Sequence, residues 1–211
     1  EQPKVSHKKK EGHHYSDYLK LMEENPGLRV VQMDTVEGEK GGKLLQTFLW
    51  PENNLMLAYL IDSKEMKNTV AVIDHLEEVL GIEKFKELFQ VILTDNGCEF
   101  ADPMLFEIGL DGEKRTSLYY CEPRKSEQKG GLEQNHEYIR YILPKGSSFD
   151  ELDQEKVLLM INHINNTTRP KLHGSTPMKR ALKDFGPNVL DKLGLYVIPP
   201  DDIYLKPQLL K

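Results

Sequence analysis

The chain has 211 residues, 38% of them apolar, a net charge of −6 and two cysteines, enough length for a sizeable buried core. No apolar run approaches the ~20 residues of a bilayer span, which argues against a membrane segment or signal peptide, and Cys98 and Cys121 lack metal-ligand spacing, which points to buried thiols in a reducing compartment. Net acidity counts against nucleic acid, yet the bases cluster at Lys8 to Lys10, at Arg124, Lys125 and Lys129, at Arg140 and Lys145, at Arg169 and Lys171, and at Lys179, Arg180 and Lys183.

Residues 1–14 are polar and aperiodic and read as a flexible linker; the chain opens on Glu1 and a basic stretch, as an excised fragment would. Tyr15, Tyr18, Leu19 and Met22 recur at helical spacing, and Asn25-Pro26-Gly27 ends that helix. Three strands follow with short connections, residues 30–36, 44–50 and 55–61, an antiparallel meander with Asp34 inside its first strand. A half-buried carboxylate there needs a cation or donors to stay ionised. Met66, Val70, Ile73, Leu76 and Leu80 form the apolar stripe of a helix closed by Gly81, with Glu77 and His75 on other faces.

After a helical stretch at 83–89, Val91-Ile92-Leu93 reads as a strand buried on both faces. It stops at Thr94-Asp95-Asn96-Gly97, where Asn-Gly suggests a turn with positive φ and Asp95 sits where the strand leaves the sheet, the place where ligands gather in α/β folds. A crossover through the helices makes this strand parallel to the first, so Asp34 and Asp95 fall on adjacent strands. A short helix at 103–108, a turn at 111–114 and a fifth strand at 117–121 lead to a polar loop. The next helix runs to about Leu143, with Leu132, His136, Ile139 and Leu143 as its stripe and Glu133 and Arg140 on one flank. A helix at 153–165, a basic loop at 167–171, short helices near 177–182 and 187–193, and a proline-bearing tail from Ile198 complete the chain.

Three acids stand out by placement: Asp34, Asp95 and Glu133. Carboxylates are hard ligands suited to Mg²⁺ or Mn²⁺, and two such ions can stabilise the attacking and leaving oxygens of a phosphoryl displacement. Neutralising either aspartate should leave metal-free stability level or higher, by relieving carboxylate repulsion. Glu37 and Glu99 read as solvated or turn-stabilising, and His136 as a packed histidine.

The segments Met33-Asp34-Thr35-Val36-Glu37-Gly38, Leu93-Thr94-Asp95-Asn96-Gly97-Cys98-Glu99-Phe100 and Gln128-Lys129-Gly130-Gly131-Leu132-Glu133-Gln134-Asn135, running on through Arg140 to Lys145-Gly146, resemble the catalytic core of bacterial DDE transposases. The insertion-sequence-thirty type, within the retroviral integrase superfamily, is the group resembled. Asn165 to Gly174 and Ser175-Thr176-Pro177 resemble that family's stretch after the core. The resemblance implies an α/β, ribonuclease-H-like mixed sheet of five strands, three antiparallel and then parallel, flanked by helices. It implies a core at 28–182, preceded by a linker and helix at 1–27 and followed by a helical extension and tail at 183–211.

It also implies Asp34, Asp95 and Glu133 as catalytic metal ligands for two Mg²⁺ or Mn²⁺ ions. Lys129, Arg140, Lys145, Arg169 and Lys171 become DNA contacts, and the active complex a homo-oligomer on transposon ends and target DNA in the bacterial cytoplasm, at the nucleoid. The implied reaction is hydrolysis at a transposon end followed by transfer of the 3′-OH into target DNA; a nuclease without strand transfer and an idle DNA-binding module are the alternatives. Two features depart from the family: about 37 residues separate Asp95 from Glu133, slightly above the usual mid-thirties, and Lys129 stands where an arginine is frequent. Lysine keeps the charge but loses bidentate phosphate geometry.

Overall fold

The structure, a computed structural model, describes residues 10–211 apart from the side chain of Ser126. Val30–Glu37 (β1), Leu44–Trp50 (β2), Leu55–Ile61 (β3), Val91–Thr94 (β4) and Ser117–Tyr120 (β5) form one sheet in the order β3-β2-β1-β4-β5. β2 and β3 are antiparallel, whereas β1, β4 and β5 are parallel, with Val30 opposite Val91 and Val91 opposite Ser117. The helices flanking this mixed α/β sheet are Tyr15–Glu24 (α1), Met66–Leu80 (α2), Ile82–Leu88 (α3), Pro103–Glu107 (α4), Gly130–Ile142 (α5), Gln154–Asn165 (α6), Pro177–Phe185 (α7) and Pro187–Lys192 (α8). The described residues divide into two compact units, 10–33 with 64–130 and 34–63 with 131–211, so the division falls inside β1.

In the first unit, α2 buries Thr69, Val72, Ile73, Leu76 and Leu80, a stripe that includes two positions the apolar spacing alone does not select. Thr69 can be buried because its hydroxyl has an acceptor in either the Met66 carbonyl at 2.9 Å or the Glu99 carbonyl at 2.8 Å. Glu77, expected on another face, is also buried: it meets the Arg115 guanidinium at 2.8 Å, while Asp74 meets it at 2.7 Å. Arg115 further donates to the Phe106 and Leu105 carbonyls, so a fully covered cation is satisfied on several sides.

β5 is an edge strand with outward N–H groups, and the chain closes that edge itself. Leu118 N donates to a Glu107 carboxylate oxygen at 2.8 Å and Tyr120 N to the His13 carbonyl at 2.9 Å. His13 also brings Nε2 to 3.3 Å from Glu107, and Tyr18 lies against Tyr119. Residues 10–14 are therefore docked on the unit and do not form the flexible linker expected there; the rest of that expectation, including Lys8 and Lys9, lies outside the described residues.

The second unit buries every residue of β2 and packs α6 and α7 on β3, with Trp50 edge-on to Phe185 at 5.4 Å. β3 is the other edge of the sheet, and amides from α6 cover it. Asn165 pairs with both backbone groups of Met56, and Gln154 accepts from Leu60 N while donating to the Ala58 carbonyl. Side-chain caps set the helix starts: Asp153 accepts from Lys156 N, and Thr176 accepts from Lys179 N with Pro177 following it.

The C-terminal tail is tied to α6 in this unit. Tyr196 N donates to Asn162 Oδ1, Asn166 donates to the Tyr196 carbonyl, and Tyr204 N donates to His163 Nδ1 at 3.2 Å. That last bond requires Nδ1 to be unprotonated. Burial pushes the His163 pKa down, opposed by the charge of Asp202. Its folded-state pKa thus lies below the unfolded value near 6.5, so the unfolded chain takes up the proton first and this stability is lost as pH falls through that value. Acidification from pH 7.5 to 5.5 is expected to lower Tm more in the parent than in His163→Asn, whose amide oxygen keeps an acceptor that does not titrate. Parallel pH profiles in the two proteins would show that His163 does not anchor the tail.

Candidate active site

Asp95 leaves β4 at its carboxyl end, and the exit is fixed on both sides. The Thr94 hydroxyl donates to the Met33 carbonyl of β1 at 3.1 Å, Cys121 N donates to the Thr94 carbonyl at 2.7 Å, and the Asn96 amide donates to the Cys121 carbonyl at 2.7 Å. Asp95 Oδ1 accepts from Gly97 N at 2.8 Å, a tight Asx turn. Gly97 has φ −55°, so the positive φ expected from Asn-Gly is not used. Space is the reason for glycine: a Cβ there would lie 2.3 Å from a Glu99 carboxylate oxygen and 3.0 Å from Asp95 Oδ1. Glu99, read as solvated or turn-stabilising, is not solvated: it is 1% exposed, with Lys64 Nζ 3.4 Å from its carboxylate.

A cation already faces Asp95. Lys129, 4% exposed, points inward, with Nζ 3.4 Å from the Met33 carbonyl and 4.0 Å from Asp95 Oδ2. A carbonyl and a carboxylate converging on an ammonium are oxygen donors of the kind a hard divalent cation takes. The donor chemistry at Asp95 therefore fits the implied metal. Among the described residues, no group of three or more histidine, cysteine, aspartate or glutamate side chains is gathered for a metal ion.

In the second unit Asp34 is half-buried, its Oδ1 accepting from Thr35 N at 2.8 Å. The Thr47 hydroxyl donates to the Asp34 carbonyl at 3.2 Å and pairs with His136 Nε2 at 2.9 Å. One hydroxyl has one proton to give, so its role toward His136 Nε2, donor or acceptor, follows the His136 tautomer. His136, three residues beyond Glu133, thereby links α5 to the strand that carries Asp34. Sequence reading left Thr47 out because a threonine in a buried strand has an ordinary packing role.

Glu133 itself is exposed in the first turn of α5, whose buried face is Leu132, Asn135, Ile139 and Ile142. A Cβ at Gly130 would meet open space, so close backbone approach does not account for that glycine. Gly38 is the constrained one: a Cβ there would sit 2.3 Å from the Ser147 carbonyl.

The expected DNA contacts separate. Lys145 and Lys171 are exposed. Arg140 is half-buried and donates from Nη2 to the Glu37 carbonyl at 2.8 Å; its Nη1 is buried with no hydrogen-bond partner among the described residues, and burial lowers its pKa. Arg169 is 3% exposed, lies 3.6 Å over the Tyr138 ring, and donates to the Ile164 and Thr167 carbonyls. Its guanidinium is an internal tie, in contrast to the surface contact expected of it. Cys121 is buried as expected, whereas Cys98 is exposed; both are free thiols.

No family model matches the chain. Over 102 residues it is 31% identical to the transposase for insertion sequence element IS4351 of Bacteroides fragilis, covering 48% of this chain and 30% of that protein. Over 82 residues it is 30% identical to the putative integrase ORF3 of Spiroplasma virus SpV1-R8A2 B, covering 39% of this chain and 24% of that protein. The catalytic core domain of BIV integrase aligns with TM-score 0.49 and 17% identity, over 74% of this chain and 95% of the other. The matches thus span less than a third of either curated relative's length. By sequence, then, the chain is similar to a transposase and to a putative integrase over the part of those proteins that the matches span.

Proposed function

We propose that the chain is the catalytic core of a DNA transposase of the insertion-sequence-thirty type, which hydrolyses a phosphodiester at the element's ends and transfers the freed 3′-OH into target DNA. What supports this most is the parallel register of β1 and β4, which ends with Gln32 opposite Leu93, two residues before Asp34 and Asp95 respectively. Asp34, Asp95 and Glu133 are the residues that would hold two Mg²⁺ or Mn²⁺ ions. Bound there, the ions supply Lewis-acid activation of water or the 3′-OH and neutralise charge on the phosphate.

The chain's own part is positioning. Thr94 and Asn96 fix the exit of β4, and Thr47 with His136 ties α5 to β1. Arg140, half-buried on α5, would bring its guanidinium charge toward a phosphate. Lys145 and Lys171 would add sequence-independent attraction that weakens as salt rises. A homo-oligomer would hold two ends together, acting on DNA in the cytoplasm.

The test uses the full-length protein and a duplex carrying the terminal sequence of its own element. Mn²⁺-dependent nicks that leave a 3′-OH, followed by joined products, are expected. Cleavage without joining, even from pre-cleaved ends, would reduce the protein to a nuclease, and no metal-dependent product at all would remove the reading.

Lys129 gives a separate expectation. Its ammonium lies beside one ligand and opposes a divalent ion by like charge, so Lys129→Met should bind Mn²⁺ roughly tenfold more tightly, the effect of removing about 1.4 kcal/mol of repulsion. The same variant should melt earlier in EDTA, having lost Asp95's counter-charge. Unchanged calorimetric affinity and unchanged Tm would refute this role.

A further inference from the structure

In the second unit a cavity of about 50 Å³, open on one side, is walled by Asn54, Gln134, Tyr138, Arg169 and Lys171 among others. We propose that this cavity binds one tetrahedral oxyanion, a phosphate or sulfate group. None of its residues is a proposed metal ligand, and its occupancy requires no divalent ion.

Arg169 is 3% exposed, and the groups around its guanidinium are all neutral. It donates to the Thr167 carbonyl at 2.9 Å, the Ile164 carbonyl at 3.0 Å and Asn135 Oδ1 at 3.4 Å, and it lies 3.6 Å over the Tyr138 ring. Its Nε is buried with no hydrogen-bond partner among the described residues. A buried cation is ordinarily paired with an ionised group, because desolvation of an unpaired charge is costly. Burial accordingly lowers the Arg169 pKa, opposed by Tyr138. Lys171, exposed two residues further on, adds a second positive charge, and the described lining contains no acid. Two cations without a carboxylate match sulfate or hydrogen phosphate, which carry up to two negative charges, better than chloride or a carboxylate, which carry one.

The same cation orients the amides. Asn135 turns its oxygen to Arg169, so its NH₂ donates to the Gly131 carbonyl at 2.8 Å and to Asn54 Oδ1 at 2.7 Å. With that oxygen engaged, Asn54 keeps its own NH₂ for an acceptor from outside the described residues. Asn54 is itself held in place: its N donates to the Trp50 carbonyl at 2.8 Å, and its φ of 61° is a left-handed conformation that asparagine tolerates. The wall thus offers cationic donors and a set amide donor. At about 50 Å³ the cavity exceeds the ~30 Å³ share of one water and lies well below the roughly 300 Å³ at which sites for larger organic ligands begin. A single small polar group is what it can hold.

The experiment titrates the full-length protein calorimetrically in EDTA, which keeps divalent ions off the acids, with inorganic phosphate, sulfate, acetate and chloride at matched ionic strength, and melts it in each. Phosphate and sulfate are expected to bind at least about tenfold more tightly than acetate or chloride and to raise Tm. Asn54→Asp keeps the oxygen that Asn135 uses and places a carboxylate in the wall, so it should abolish both effects in a folded protein. Lys171→Ala, at an exposed position, should weaken phosphate binding about tenfold and leave the anion-free Tm unchanged. An equal response to all four anions, or phosphate binding that survives Asn54→Asp, would overturn the proposal. A duplex of arbitrary sequence then separates the two sources of such a group. Displacement of the duplex by phosphate from the parent, and not from Asn54→Asp, identifies the occupant as a DNA backbone phosphate; phosphate binding with displacement from neither identifies it as the free oxyanion.

Discussion

Asp95→Asn is expected to lower metal-dependent strand cleavage at least about 10³-fold, an increase of roughly 4 kcal/mol in the barrier, while the chain stays folded. The change is nearly isosteric and keeps an oxygen that can accept from Gly97 N, so the Asx turn that shapes the end of β4 survives. What disappears is the negative charge that would hold a divalent ion in the proposed site. The structure also alters the stability expectation drawn from carboxylate repulsion. Asp95 Oδ2 is 4.0 Å from the buried Lys129 ammonium, so neutralising it removes an attraction. With the Asp95 side chain 47% exposed, the cost is about 1 kcal/mol or less. Cleavage assays on end-bearing duplexes alongside thermal melts check both parts. Parent-level activity in the variant would exclude Asp95 from the site.

Arg115→Met should be the most destabilising single change in the first unit, costing about 3–5 kcal/mol, or on the order of 10 °C in Tm for a chain of this length. The guanidinium is buried, and its removal strands the Glu77 carboxylate, 6% exposed, without its cation. The Phe106 and Leu105 carbonyls lose their donor at the same time. Since the penalty comes mainly from the stranded charge, Glu77→Gln placed on top of Arg115→Met should recover part of it. Additive losses in the double variant, read from denaturant midpoints, would mean that the pair is not coupled.

The parts of the fold legible in the sequence are those governed by local periodicity. The five strands follow from apolar runs bounded by turn residues, and the parallel pairing of β4 with β1 follows from the helices between them. Asp95 was legible because a buried run that ends on an acid is a local pattern. The missed features are pairings between distant polar residues. Glu77 looks like a surface acid until Arg115, far along the chain, is brought to it, and Glu99 looks solvated until Lys64 reaches it. Thr69 joins the α2 core only because its hydroxyl finds a carbonyl acceptor. Residues 10–14 show no periodicity because they dock through backbone groups and single side chains. Asn96-Gly97 suggests positive φ, whereas Gly97 has φ −55° and gives room to the Asp95 and Glu99 carboxylates. Arg169 carried a surface expectation from its basic loop, but Tyr138 and two carbonyls take it inside.

The proposed ligand set of Asp34, Asp95 and Glu133 is tested most directly by metal binding itself. Calorimetric titration of Mn²⁺ into the full-length protein and into Asp34→Asn, Asp95→Asn and Glu133→Gln measures this without relying on turnover, with Arg140→Ala as the control that should weaken DNA binding and keep the metal. Loss of Mn²⁺ binding in each acid variant, with their folds intact, is the predicted result. Parent-like Mn²⁺ affinity in any of the three would contradict the ligand set.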